Sequence, residues 1–190
     1  MNERLPIAEL ELLRQFEQRD PGGWYAEGFE LYGPAEYGRT SGIDTWSKDP
    51  QFLHAFLAFA TANHSGSIYA LWRLDGHTDD GTDLATLPVV VFGDEGGVHV
   101  VARSLRELFQ LLTCDARMWA TDECAYFYAD EIDEVDEDHE PSRRHPEYVD
   151  WLKREFGLDP VADPDGAIDA AQDELGERFD AWMRRYVDDH

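Results

Sequence analysis

Residues 67–112 read SIYALWRL (67–74), a polar stretch (75–86), LPVVVFGDEGGVHVVA (87–102) and RSLRELFQLL (103–112). Three apolar runs, separated by turn residues and closed by a capped helix, make a meander that the other segments must cover. In the first run Ile68, Ala70, Trp72 and Leu74 fall on one face at period two, with Tyr69, Leu71 and Arg73 on the other, which predicts a half-buried strand. Leu87 to Phe92 is continuously apolar and reads as a more central strand covered on both faces. Pro88 is tolerable only near its start, because proline cannot donate to a ladder. Gly93-Asp94-Glu95-Gly96-Gly97 offers three residues able to take positive φ, as a tight hairpin with a bulge requires. Val98, Val100 and Ala102 then alternate with His99 and Val101. Ser104 with Glu107 three residues on forms a capping box for a helix whose core face is Leu105, Leu108, Phe109 and Leu112. The two connections are too short to hold crossover helices, so the three strands are expected to pair antiparallel.

Outward from the meander, Asp49 followed by Pro50 is a helix start, with aspartate as N-cap and proline at the first helical position. The run PQFLHAFLAFATAN (50–63) predicts a helix over 50–62 lying across the sheet, with Phe52, Leu53, Phe56, Leu57, Phe59 and Ala60 on a broad buried face. Ile7, Leu10, Leu12, Leu13 and Phe16 predict an N-terminal helix, stopped by Asp20-Pro21-Gly22-Gly23. Phe29 to Tyr32 predicts a short strand. Residues 114–121 read as irregular and 125–128 as a fourth or fifth strand. Pro146 opens a helix with Tyr148, Val149, Leu152 and Phe156 on one face and Gly157 just past its end. Asp163-Pro164 opens a longer one with Ile168, Ala171, Leu175, Phe179, Trp182 and Tyr186 at helical spacing. The two helices form a cover over the sheet or over each other. The expected fold class is therefore α+β, an antiparallel sheet of about 4–6 strands with helices packed on it and C-terminal helices added. It forms a single domain over 1–190, with its core over about 24–128 and an acidic loop and helical cover over 129–190.

The chain has 190 residues, 43% of them hydrophobic and 13% aromatic, enough to bury a substantial core. Its formal net charge of −25 argues against nucleic acid or an anionic membrane as partner and favours a basic one. Cys114 and Cys124 have no paired spacing and no ligand cluster beside them, which suits a reducing compartment. The opening MNERLPIAELELLRQFEQ is amphipathic and charged, unlike a signal peptide, and no run reaches the length of a membrane span, so a cytoplasmic protein is expected.

Catalytic signatures are absent from the sequence. Ser65-Gly66-Ser67 is not a nucleophile elbow, and the carboxylates of GDEGG (93–97) would repel a phosphate. His54 and His99 could face each other as acid and base, but a lone histidine at such a position is more often a packed, hydrogen-bonded one. The loop 75–86 holds Asp75, His77, Asp79, Asp80 and Asp83 without the glycine and distal glutamate of a Ca²⁺ loop, and reads as a solvated connection. No metal or cofactor is expected. Trp46, Tyr69 and Trp72, with Tyr25, are candidates to line a ligand pocket, although alternating aromatics are ordinarily core and Trp72 looks structural. In DEIDEVDEDHE (130–140), Asp130, Glu131, Asp133, Glu134, Asp136, Glu137, Asp138 and Glu140 are all acidic. Such a run reads first as solvated loop.

The Phe-rich segment 50–63, the turn HSGS (64–67), the strand with YALW (69–72), then LPVVVFGDEGGVHVVA and SLRELFQLL (104–112) together resemble the SUKH superfamily. These are proteins similar to the yeast Smi/Knr cell-wall-synthesis regulators, and the bacterial members are largely thought to be immunity proteins against polymorphic toxins. The resemblance covers about residues 50–112. It implies a non-enzymatic protein-binding domain that neutralises a basic toxin domain, such as a nuclease, by direct contact. The expected contact residues are the acidic run 130–140 and the hairpin tip Asp94 and Glu95, since dense carboxylates can steer to and occlude a phosphate-gripping cleft. The competing expectation is a small-molecule-binding, regulatory or enzymatic domain with a pocket between the sheet and helix 50–62.

Overall fold

A computed structural model describes residues 7–76, 82–127 and 141–187. The three runs of the meander form strands β3 (Ile68–Trp72), β4 (Val89–Phe92) and β5 (Val98–Ala102). They pair antiparallel, with Ile68 opposite Phe92 and Val91 opposite His99. Two further strands extend the sheet beyond β3, namely β2 (Phe56–Thr61) and the short β1 (Glu30–Leu31), in the order β1-β2-β3-β4-β5. The fold is α+β, as the hydrophobic patterning predicts.

The helix expected over 50–62 does not form. Asp49 and Pro50 do start a helix, α2 (Pro50–His54), and the Asp49 side chain accepts a bond from the Gln51 N–H at 2.7 Å. After that single turn the chain extends and β2 pairs with β1 on one side and β3 on the other. The segment is apolar toward both faces: Phe56 and Ala58 pack on one side of the sheet, Phe59 and Ala60 on the other. A register shift between Ala58 and Ala60 also breaks the period of two, leaving a short apolar run whose period alone cannot separate strand from buried helix. Two flanking ladders satisfy its backbone, and they decide the outcome.

The alternation in 68–72 assigns the faces correctly but understates the burial. Ile68, Ala70 and Trp72 belong to one apolar cluster and Tyr69 and Leu71 to the other, and all five are buried. Helices cover both faces. On the Tyr69 side lie α1 (Ala8–Glu17), α3 (Leu105–Leu111) and α4 (His145–Phe156), through Leu10, Leu13, Phe16, Leu108, Phe109, Tyr148 and Trp151. On the Trp72 side lie Phe52 of α2 and Ala171, Phe179 and Trp182 of α5 (Pro164–Met183). The two C-terminal helices thus cover opposite faces rather than each other.

The cap before α3 forms with one change. The Ser104 hydroxyl accepts the Glu107 N–H at 3.3 Å, while the Glu107 carboxylate reaches back to the Arg103 N–H at 2.5 Å. Residues 114–127 depart further from expectation. Met118–Ala120 is a strand, β6, and Ala125–Phe127, β7, pairs with it in a separate two-stranded sheet instead of extending the main one. Among the described residues no helix is long and apolar enough to cross a membrane.

Candidate functional site

The hairpin turns bring together a buried polar knot. Asn63 Oδ1 accepts the N–H groups of Ser65, Gly66 and Ser67 at 3.0–3.1 Å. Its Nδ2 donates to the Ser67 hydroxyl (2.9 Å), Asp94 Oδ1 (3.2 Å) and the Met118 carbonyl (3.1 Å). Ser67 also donates to Asp94. Partial burial would raise the Asp94 carboxyl, but the bonds from Ser67 and Asn63 hold it below the ordinary carboxylate range. Asp94, expected as a partner contact, therefore has one oxygen committed to joining the β4-β5 turn to the β2-β3 turn, which Asn63 in its turn ties to β6. Asp94 itself and Glu95 beside it are both exposed.

The remaining expected contacts, Asp130, Glu131, Asp133, Glu134, Asp136, Glu137, Asp138 and Glu140, lie outside the described residues. So do His77, Asp79 and Asp80 of the loop 75–86. Asp83 caps the turn at Leu84–Thr86, and Asp75 pairs with Arg178 at 2.6 Å. Among the described residues no group of three or more His, Cys, Asp or Glu is placed to hold a metal ion.

Trp46, Tyr69 and Trp72 do not line a common pocket. Tyr69 and Trp72 are fully buried on opposite faces of β3, and Trp46 stands against Phe92 with ring centroids 6.4 Å apart. The pocket expected between the sheet and helix 50–62 lacks its wall, because residues 56–61 are part of the sheet. His54 and His99 do not face each other either: His54 is exposed beside Arg73, and His99 Nε2 meets the Thr121 carbonyl at 2.7 Å.

What the structure does assemble is a groove of about 590 Å³ beside β5. Its floor is Val98, His99, Val100 and Phe179, one wall is α5, and the other is the β6-β7 turn. Asp122 and Glu123 come from the turn and Asp173, Glu177 and Asp180 from α5, against Arg184 as the one Lys or Arg among the described residues of the lining. Five carboxylates facing one guanidinium give the cleft a strongly negative potential, which its concave, low-dielectric walls focus. The groove was legible in part. Asp173, Glu177 and Asp180 are spaced four and three apart, so one helical face carries all three, but only the apolar stripe of that helix draws attention in the sequence. The contribution of Asp122 and Glu123 depends on the second sheet, which the sequence did not reveal.

The cysteines are unlike each other. Cys124 is exposed, whereas burial pushes the Cys114 thiol up to about 12. In the native protein a disulfide-exchange reagent near neutral pH should therefore modify Cys124 quickly and Cys114 only on unfolding. Cys124→Ser should abolish the fast phase, and a persisting fast phase in that variant would contradict the placement of Cys114.

No protein-family model, curated protein or solved structure matches the chain.

Proposed function

We propose that this chain is a non-enzymatic protein-binding domain of the immunity type, acting in the cytoplasm on a basic toxin domain by direct binding. The observation that carries the reading is the groove beside β5, where five carboxylates surround one guanidinium on a chain of net charge −25. A surface of this kind suits a protein whose own function depends on cationic side chains, as a nuclease's does, because masking those side chains disables it. The resemblance to the SUKH superfamily over residues 50–112 points to the same role.

The reading expects a gene for a basic toxin domain beside the gene for this chain, and the test takes that domain, follows its association by stopped flow and assays toxin activity in parallel. The complex should abolish that activity. The on-rate should fall by at least roughly tenfold between about 0.01 M and about 1 M salt, as the Debye length shrinks from about 30 Å to about 3 Å. Two reversal variants locate the surface. Lysine at Asp173, Glu177 and Asp180 should slow association and flatten its salt dependence, and lysine at Asp133, Glu134, Asp136 and Glu137 tests the acidic run in the same way. An unaffected toxin, or an on-rate independent of salt in the parent protein, would overturn the reading.

A further inference from the structure

The groove beside β5 runs along a sheet edge at which, among the described residues, no strand pairs, and electrostatic steering alone does not require such an edge. Val98, His99 and Val100 are consecutive, so their side chains alternate between the two faces of the sheet, yet all three line the groove. A cavity touching consecutive strand residues lies at the edge of the strand and not over one face. β5 is the last strand of the sheet. The Gly93 N–H donates to the Gly97 carbonyl at 3.0 Å and Val91 stands opposite His99, so Gly97 and His99 direct their main-chain groups at β4. The alternation of an antiparallel ladder then turns the N–H and C=O of Val98 and Val100 outward. Consistent with this, the Val100 carbonyl accepts a bond from Gln172 Nε2 of α5 at 3.3 Å.

We infer that this edge accepts one extended segment of a basic protein partner as an added strand, bonded to the main chain of Val98 and Val100 and held by cationic side chains against Asp173, Glu177 and Asp180. The inference rests on the reading of the partner as basic, and it specifies how that partner is gripped. Main-chain pairing supplies affinity that does not depend on sequence, while side-chain alternation supplies selectivity, since every second residue of an added strand points at the α5 wall. The preferred segment therefore carries Lys or Arg at alternate positions. In the free protein Gln172 holds the Val100 carbonyl and blunts the edge against indiscriminate pairing. Val100 is only 1% exposed, so Gln172 and the part of α5 around it must move aside for the strand to seat.

The probe is a synthetic peptide of alternating lysine and valine, about eight residues long, with two N-methylated versions, one methylated at every lysine and one at every valine. Alternation sends the N–H groups of one residue type toward β5 and those of the other away from it. One N-methylated peptide should therefore lose at least about tenfold in affinity while the other stays within about twofold. Amide hydrogen exchange at Val98 and Val100 should slow when the unmodified peptide binds. Val98→Pro deletes an outward N–H without touching the β4 ladder, and should weaken the peptide while leaving the melting temperature nearly unchanged. If that variant fails to fold, the peptide pair still decides, because it leaves the protein intact. Equal affinity of the two N-methylated peptides, unchanged exchange at Val98 and Val100, or no binding of the unmodified peptide would each overturn the added strand. Salt-sensitive binding of the toxin domain alongside equal N-methylated peptides would remove the strand and keep the acidic groove, whereas loss of toxin binding altogether removes the reading beneath both.

Discussion

Trp72→Ala should lower the free energy of unfolding by about 3–5 kcal/mol, read as a fall in urea midpoint with little change in slope. Trp72 sits on the middle strand of the sheet with 0% of its surface exposed. Its indole meets Phe179 edge-on with centroids 4.9 Å apart and Trp182 at 5.9 Å, so it joins the sheet to α5. Alanine would leave a void bounded by rigid aromatic rings on one side and a paired strand on the other, and neither can collapse far into it. Trp72→Phe should be much milder. It keeps a ring against Phe179 and deletes an indole N–H that has no hydrogen-bond partner among the described residues. Burying such a donor costs about 1–3 kcal/mol, which its removal partly offsets against the smaller ring. A loss below about 1 kcal/mol for the alanine variant would mean that α5 is not seated on β3 as described.

How far the sequence could be read follows the same physics. The strands 68–72, 89–92 and 98–102 were legible because turn residues bound each run and the faces of the first separate cleanly at period two. The helix after Ser104 was legible because its cap is local. Residues 56–61 were not, because a strand buried on both faces and shifted in register has no period of its own to show. The Asp49-Pro50 start was correctly placed, but nothing in 55–61 marks the end of that helix, since pairing with β1 and β3 ends it and neither partner is local. Trp151 was missed for a different reason. The stripe read from the sequence, Tyr148, Val149, Leu152 and Phe156, was turned too far toward Val149, which is only partly buried; Trp151, three residues on from Tyr148 and on its face, is buried against Phe16 of α1 at 5.3 Å and Phe109 of α3 at 6.1 Å between ring centroids. The candidate site divides in the same way. The overall charge was readable, whereas the groove that concentrates it needs α5, the edge of β5 and the β6-β7 turn to meet.

Arg144 is the residue that sequence pattern hid most completely, and replacing it should have the second large effect. In the sequence it is one of two adjacent arginines before a helix, the ordinary context of a solvated cation. In the structure it is 2% exposed, while its neighbour Arg143 is exposed. Its guanidinium donates to the carbonyls of Phe16 (3.1 Å), Glu17 (3.4 Å) and Asp20 (2.9 Å), and to the Glu147 carboxylate at 3.2 Å. It also lies 4.4 Å from the centre of the Phe16 ring. The last carbonyls of α1 carry its negative end and otherwise accept only turn bonds, from the Arg19 N–H to Phe16 and the Asp20 N–H to Glu17 at 3.3 Å, so a planar cation with several donors strengthens a weakly bonded helix end. Arg144→Met keeps much of the apolar stem and should still cost about 3–4 kcal/mol, because the carbonyls lose their charged donor and keep only the long turn bonds from the Arg19, Asp20 and Gly23 N–H groups at 3.3–3.4 Å. Arg144→Lys keeps the charge but cannot span the three carbonyls, and should lose about half as much. Amide exchange should accelerate first at the C-terminal turn of α1. Partner binding should persist below the lowered melting temperature, since α1 packs on the face opposite α5 and its acidic wall. A methionine variant within about 1 kcal/mol of the parent, with α1 exchange unchanged, would show that solvent satisfies those carbonyls and that Arg144 is not the clamp on the first helix.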